Sequence, residues 1–431
     1  MSDRGRHWLR QELPLWQQEG LIDATQAEAL AQRYRLDELG EGGFWRHLIS
    51  AAGAILIGLG VILLFAYNWE AMGRYWKLTV IFLALLLAHG GGLMLLERNR
   101  LLSEGLFAIG SMLMGAGIFL VGQIYHLQSH YPDALLLWSL GVLALAWALP
   151  SRIQAWMALI LILVWHFSEL VDFNLPNEWV LLPLGLLLPL VWRLDSPLLA
   201  RFYSATLLVA IAGILVVREN EAALSILLSV ALILVALPPL AEALGQQNRR
   251  ELTEALAAPA LASLVLFLLS VSIREIGRDL LKLGADGGID NPLFWISLVL
   301  SQGLLLLLLL WKRRLEPSLW LAEAVLLLVI LPQLLVAWSP GSDSGWIWAG
   351  QSLLVNLLTL GLSLWMMISG AREVKRRRLV WGALLFAVLV VLRYLDLFDS
   401  LIARGLVFLL AGVGLFALSH WYRRNRREAE A

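Results

Sequence analysis

The sequence predicts an all-α protein: a polytopic transmembrane helical bundle of about 14 spans, with a small helical hairpin in front of it. Hydrophobic residues fill 59% of its 431 positions and charged residues only 15%, with a mean hydropathy of +0.74. Soluble domains average about 45–50% apolar and about 25% charged residues. Apolar runs recur along the chain, and about 20 apolar residues suffice to cross a bilayer as a helix. One water-soluble core cannot bury this much apolar surface.

Composition also excludes several classes of protein. The chain has no cysteine, which rules out a disulfide scaffold, a zinc ribbon and a thiol enzyme. Its net charge is zero, so no basic field favours nucleic acid as a partner. No P-loop, dinucleotide fingerprint or nucleophile elbow occurs in a strand–helix setting. We therefore expect no catalytic residue, no cofactor and no resident metal.

The first part of the chain, 1–46, is too polar and too long for a signal peptide. Apolar residues at helical spacing predict a first helix, which Glu19 and Gly20 interrupt. Asp23 is placed to cap a second helix, with Gln26 completing a capping box. This hairpin is predicted to be cytosolic, either as a docking element or as an amphipathic stub on the membrane.

Fourteen spans are predicted from apolar runs between charged, proline or glycine breaks. The first transmembrane half, 47–240, holds eight: 47–67, 78–96, 105–125, 134–149, 153–171, 179–192, 202–217 and 222–240. A cytosolic linker, 241–257, precedes the second half, 258–421. That half holds six spans, 258–273, 293–311, 319–338, 346–369, 379–395 and 401–421, and a cytosolic basic tail, 422–431, ends the chain.

Orientation follows from the Lys and Arg residues of alternate loops. Of the 33, one side of the predicted bundle receives 25 and the other 8. Cytoplasmic loops carry the excess of basic residues. The bias predicts a cell inner (cytoplasmic) membrane protein with both termini in the cytoplasm. Tryptophans near span ends, Trp138 among them, are expected to lie at the membrane interface.

Small residues at four-residue spacing predict close helix packing. They are Ser50, Ala54 and Gly58 in the first span and Ser111 and Gly115 in the third. A glycine-lined conduit is the alternative. Proline predicts kinks at Pro183, Pro189 and Pro332, because it deletes a helical hydrogen bond. Such breaks occur at transporter binding sites, but simple kinks are the favoured explanation here, because no convincing internal repeat supports a transporter.

Ionisable groups at membrane depth are the best functional hint. They collect at one end of the third, fifth and thirteenth spans, where topology places them in the same leaflet. The predicted polar site comprises Gln123, Tyr125, His126, His130, Asp133, His166, Glu169, Asp172, Arg393, Tyr394, Asp396 and Asp399. If the third helix continues, His126 and His130 share a face at i and i+4. Such a set could bind a divalent metal, move protons or bind anions, whereas the alternative is hydrogen bonding of each group at the headgroup level.

Three stretches resemble a bacterial family of predicted integral membrane proteins of unknown function. They are Leu21-Ile22-Asp23 through Arg33-Tyr34 with the glycine-rich first span ending Ala66-Tyr67-Asn68-Trp69, Gly122-Gln123-Ile124-Tyr125-His126, and Arg393-Tyr394-Leu395-Asp396-Leu397-Phe398. The resemblance implies a bacterial cytoplasmic-membrane protein that works beside a small membrane-anchored protein with a Gly-Asp-Tyr motif. It implies no catalytic residue.

Three functional classes remain. We expect a transporter or a lipid- or envelope-precursor-handling protein with an outward-facing polar site and membrane lipids as partners. The alternatives are a non-catalytic scaffold or envelope-assembly factor and a membrane-embedded enzyme. A continuous polar cavity would favour transport, and a solid bundle would favour scaffolding.

Overall fold

The computed structural model describes residues 3–34, 73–126, 130–273, 290–312, 316–338, 345–396, 409 and 412–414. Every segment with regular structure in this part of the chain is helical. Backbone contacts divide the chain into two units, residues 1–83 and 84–431. The predicted first span, 47–67, lies outside the described residues, and so does nearly all of the last, 401–421.

The first unit contains the predicted hairpin, formed by α1 (Asp3–Gln18) and α2 (Ala24–Arg33). Gly20 turns the chain with a positive φ of 72°, which glycine adopts without steric cost. The predicted capping box is confirmed, because Gln26 N donates to Asp23 Oδ1 at 2.7 Å and Asp23 N donates to Gln26 Oε1 at 3.1 Å. Leu9 and Leu13 are buried between the two helices.

In the described part of the chain twelve further helices follow, and each corresponds to one predicted span from the second to the thirteenth. They are α3 (Arg74–Leu95), α4 (Arg100–Ile124), α5 (Pro132–Ala148), α6 (Arg152–Asp172), α7 (Leu181–Leu194), α8 (Pro197–Val217), α9 (Ala223–Ala243), α10 (Arg250–Ser272), α11 (Pro292–Lys312), α12 (Pro317–Trp338), α13 (Gly345–Arg372) and α14 (Arg376–Asp396). Short 3₁₀ turns precede α7 and α10. The start of α3, up to Leu83, belongs to the first unit.

In the described part of the second unit, two apolar cores hold the helices together. One is centred on α9, which packs against α8, α10, α11 and α12 and buries residues such as Leu232 and Val235. The other joins α5, α6, α7 and α8 to the first turns of α10, around Ile162 and Leu187. Helix α10 contributes to both cores, so they form one continuous packed interior.

The outer surface of these helices is apolar as well. Large side chains such as Leu86, Leu87, Leu307 and Leu310 are exposed. Nine of the described helices are long and apolar enough to cross a membrane. Because soluble proteins rarely expose contiguous apolar surface of this extent, the exterior is the lipid-facing surface of a multi-pass bundle.

Hydrogen bonds between loops group the helix ends into two sets. At one end, Arg100 Nη2 donates to Pro150 O (3.4 Å), Arg152 Nη2 donates to Leu194 O (3.3 Å), and Arg249 Nη1 contacts Asp195 Oδ1 (2.9 Å). We call this the Arg152 end. The opposite ends of the same helices form the His130 end, defined below by its own contacts. Each of these bonds joins two loops that lie on the same side of the bundle when successive spans alternate in direction.

The connection between α9 and α10 is shorter than the predicted linker, 241–257. Helix α9 ends at Ala243 and α10 begins at Arg250. The apolar run begins only near residue 258, but the helix starts earlier because Leu252 and Leu256 pack into the second core. Acidic residues on the exposed face of these first turns lower the local hydropathy, so the apolar run in the sequence starts later than the helix does.

The structure shows the surroundings of the three prolines predicted to kink their helices and of Trp138. Pro183 lies in the first turn of α7, where a missing N–H leaves no helical hydrogen bond unmade, so its position implies no kink. Pro189 and Pro332 lie inside their helices. The Trp138 ring is half-buried against the second core, and its Nε1 donates to Ser111 O at 2.7 Å.

Ser111 and Gly115 of α4 pack closely against α5 and α6. A Cβ at Gly115 would lie 2.2 Å from the Trp138 ring, so only glycine fits there. Ser111 Oγ donates to Gln154 Oε1 at 2.8 Å. The predicted partner, the span with Ser50, Ala54 and Gly58, lies outside the described residues.

Candidate functional site

The clearest polar contact at the His130 end joins His130 to Glu169. His130 precedes α5, and Glu169 lies in the last turn of α6, so the two residues close the hairpin that these helices form. The Nε2 atom of His130 lies 2.7 Å from Glu169 Oε2. Glu169 is only 8% exposed, and its Oε1 accepts a hydrogen bond from Trp165 Nε1 at 3.3 Å. A carboxylate this buried is stable only when its oxygens have partners.

A second contact joins the same two helices beside the first. The Tyr131 hydroxyl donates to Asp172 Oδ2. This hydrogen bond to a carboxylate raises the pKa of Tyr131 above its ordinary value. The Phe173 ring packs edge-on against the His130 ring with centroids 4.0 Å apart.

Asp133 completes a group of potential ligands. It lies in the first turn of α5 and is exposed. One ligand atom from each of His130, Asp133 and Glu169 lies within 4.8 Å of the others. We call these three residues the His130 cluster.

Other members of the predicted polar site lie elsewhere. Helix α4 ends at Ile124 and His126 adopts a left-handed φ of 51°, so the expected i, i+4 face of His126 and His130 does not form. His126, Gln123 and Tyr125 are exposed.

His166 is fully buried and faces α8 rather than the His130 cluster. A Cβ at Gly213 of α8 would lie 3.1 Å from His166 Nε2. Its ring nitrogens are not part of the ligand group formed by His130, Asp133 and Glu169. The same Cβ would lie 2.4 Å from Leu170 Cδ1, so glycine at position 213 makes room chiefly for Leu170, with the imidazole beside it.

The thirteenth-span group stays a prediction. Arg393 lies in α14, which packs against α13 and α10, whereas the helices of the His130 cluster pack against α4, α7 and α8. The side chains of Tyr394 and Asp396 are outside what the structure describes, and so is Asp399. Their convergence with the His130 cluster is untested.

Pro332 creates the second candidate site. Proline cannot donate to the carbonyl four residues earlier, which is Leu328 O. Gln351 of α13 supplies the missing donor, because its Nε2 lies 2.6 Å from Leu328 O. This is the compensation by a neighbouring helix that proline requires in lipid.

Next to this hydrogen bond, α12 and α13 leave a cleft of about 450 Å³. Its walls are apolar, formed mainly by Leu327, Leu331, Leu335 and Leu354, and Gly350 lies on its α13 side. Ligand pockets typically measure about 300–1,000 Å³. We call this space the Pro332 cleft.

Sequence reasoning missed one buried carboxylate, Glu323 of α12. It is 7% exposed, and its Oε2 accepts a hydrogen bond from Gln302 Nε2 of α11 at 3.0 Å. A single acidic residue inside a strongly apolar run barely changes its hydropathy. An explicit search for charges within each span, rather than at span ends, would have found it.

Comparison with protein families matched the chain to the family described as "Predicted membrane protein (DUF2157)" over residues 14–156. The match begins inside α1, includes α2 to α5 and ends in the first turns of α6. No curated protein and no solved structure matched the chain. Together with its apolar helices, the match makes the chain similar to predicted membrane proteins of unknown function.

Proposed function

We propose that this multi-pass membrane protein binds and moves membrane lipids, with the Pro332 cleft as the place where an acyl chain enters the bundle. The cleft carries this proposal, because it opens between two lipid-facing helices and its walls are almost entirely apolar. Among the lining residues that the structure describes, Gln351 is strongly polar: its Nε2 bonds to Leu328 O, whereas its buried Oε1 has no partner in the described part of the chain. A hydrocarbon chain therefore suits the cleft better than a polar solute.

The position of the cleft also fits this function. Gly350 and Pro332 both lie toward the His130 end of their helices, so the cleft opens into the leaflet next to that end. A lipid whose chain enters there has its headgroup at the same membrane surface as the outer polar groups. This arrangement agrees with the outward-facing polar site expected from the sequence.

A lipid-translocation assay tests the proposal. Purified protein is reconstituted in liposomes containing a fluorescent phospholipid, and dithionite measures how fast the label crosses between leaflets. Gly350→Leu fills the cleft, and a Cβ at Gly350 meets no atom within 4 Å, so the variant should fold. Gly361→Leu is the matched control, since Gly361 lies on the same helix and also faces open space.

We expect wild-type protein and Gly361→Leu to move lipid faster than protein-free liposomes do. Gly350→Leu should slow this movement at least fivefold. If wild-type protein moves lipid no faster than empty liposomes, the proposed function is wrong. If Gly350→Leu moves lipid as fast as the wild type, the cleft is not the lipid site.

A scaffold is the second candidate, and the packed interior favours it. The two cores join α5 through α13 around fully buried residues such as Leu187 and Leu264. A scaffold would bind a partner, for instance a small membrane-anchored protein, without moving lipid. Recovery of one defined partner together with no lipid translocation would favour this alternative.

We also propose that the protein resides in a bacterial cytoplasmic membrane with both termini in the cytoplasm, because of the 25-to-8 distribution of basic residues. The chain has no cysteine, so single cysteines can report topology. Asn174→Cys should react with an impermeant maleimide from outside the cell, and Glu97→Cys should not. The reverse pattern would invert the topology.

A further inference from the structure

We propose that the His130 cluster is a binding site for one divalent transition-metal ion of the zinc class. Its ligand atoms, one each from His130, Asp133 and Glu169, lie within 4.8 Å of one another. They come from two elements, the start of α5 and the last turn of α6. An ion bound here would therefore join the two helices at the membrane surface.

The donor chemistry selects the kind of ion. One imidazole nitrogen and two carboxylate oxygens form a mixed set that suits zinc and its first-row neighbours, whereas magnesium and calcium prefer oxygen alone. Zinc bonds these donors at about 2.0–2.2 Å, so its ligand atoms lie roughly 3.3 Å apart. The 2.7 Å separation of His130 Nε2 and Glu169 Oε2 is about 0.6 Å shorter than that. Small side-chain rotations open the required space.

Neighbouring groups hold the ligands in position before an ion binds. Trp165 Nε1 bonds to Glu169 Oε1, which leaves Oε2 directed at His130. Phe173 packs against the His130 imidazole and limits its rotation. Such supporting contacts raise metal affinity because fewer ligand motions are lost on binding. Glu169 also lies at the C-terminal end of α6, where the helix dipole favours a cation.

Asp133 gives an ion access to the site. Its side chain is exposed, whereas Glu169 is buried, so the cluster has one ligand in water and one in the protein. Three protein ligands leave a fourth zinc position for water. In composition, the cluster thus resembles a three-ligand zinc site whose fourth coordination position is open to an exchangeable group.

Zinc titration of the full-length, metal-stripped protein in detergent tests the proposal. Isothermal calorimetry compares the wild type with His130→Ala, Glu169→Gln and Asp133→Asn. His126→Asn is the control, because His126 is an exposed histidine outside the cluster and asparagine tolerates its left-handed φ of 51°. The measurement does not involve the Pro332 cleft, so its outcome is independent of lipid translocation.

We expect one zinc ion per chain in the wild type and in His126→Asn, and at least tenfold weaker binding in each cluster variant. Asp133→Asn matters most, because Asp133 is exposed and its replacement leaves the buried His130–Glu169 contact in place. The proposal is overturned if the wild type binds no zinc, if Asp133→Asn binds it as tightly as the wild type, or if His126→Asn loses affinity equally.

Discussion

Helix α13 packs in two opposite ways along its length. At its C-terminal end, Gly370 lies so close to α14 that a Cβ would be 2.5 Å from the backbone nitrogen of Leu379. At its N-terminal end, Gly350 borders the Pro332 cleft, and a Cβ there would meet nothing within 4 Å. The same residue type therefore serves close backbone packing in one place and open space in the other.

The difference shows what controls helix association in this bundle. Between α13 and α14, small residues let the backbones approach, and dispersion contacts hold them together. Between α12 and α13, proline removes one helical hydrogen bond and a side chain from the opposite helix replaces it. The first arrangement fills space and the second leaves a cleft. The presence of a glycine in the sequence does not tell which of the two arrangements forms.

The largest expected effect is a loss of folding stability when the close packing of α13 against α14 is disturbed. Gly370→Ala places a methyl group against the α14 backbone, and overpacking of this kind costs about 1–3 kcal/mol. Gly361→Ala makes the same change on the same helix in open space and gains helix propensity of about 0.5–1 kcal/mol. SDS titration in mixed micelles measures both free energies of unfolding. Equal stability of the two variants would remove the distinction between the packed and open regions.

A smaller effect concerns the hydrogen bond at Pro332. Gln351→Leu leaves the Leu328 carbonyl without its donor and should cost about 0.6 kcal/mol, the average for interhelical hydrogen bonds in a membrane bundle, and at most about 1.7 kcal/mol. In a Pro332→Ala background the backbone N–H at position 332 can bond to Leu328 O, so Gln351→Leu should cost much less.

The same SDS titration, applied to the wild type, both single variants and the double variant, measures this coupling. A cost of Gln351→Leu that is unchanged by Pro332→Ala would mean that Gln351 does not compensate for the proline.

The smallest effect belongs to the turn between α13 and α14. Glu373 contacts Lys375 Nζ at 2.7 Å and Arg378 Nη1 at 2.9 Å, and the hydrogen bond from Lys375 is the main reason that its pKa is below 4.5. A lowered pKa in the folded state stabilises the protein above pH 4.5, and this contribution is lost as the pH falls through the folded-state value.

Glu373→Gln should therefore lower the melting temperature slightly at pH 7, and the difference should shrink as the pH falls below 4.5. Glu97→Gln is the control, because Glu97 is exposed and forms no ion pair within the described part of the chain. A difference between the wild type and Glu373→Gln that stays constant with pH would contradict the assignment.

Most of the fold could be predicted from sequence because long apolar runs leave a helix few alternatives in a membrane. The capping box at Asp23 and Gln26 was equally predictable, since both partners lie three residues apart. The start of α10 was not, because it depends on packing of Leu252 and Leu256 in the second core. Hydropathy measures preference for lipid and does not report such contacts.

The site was predictable in composition but not in geometry. His130, Glu169 and Asp172 were all expected at one end of the bundle, but the pairing of His130 with Glu169 requires the α5–α6 hairpin to bring them together. His126 was expected beside His130, and the end of α4 at Ile124 prevents this. The hydrogen bond from Gln351 to the Leu328 carbonyl could not be predicted either, because it also depends on packing between helices.

A cryo-EM map of the protein in a lipid nanodisc tests the central claim, that the Pro332 cleft is an open site for a lipid chain, most directly. We predict elongated density between α12 and α13 beside Leu331, Gly350 and Leu354, with Gln351 still bonded to Leu328 O. Direct contact between the Leu331 and Leu354 side chains, with no space or density between the helices, would contradict the claim.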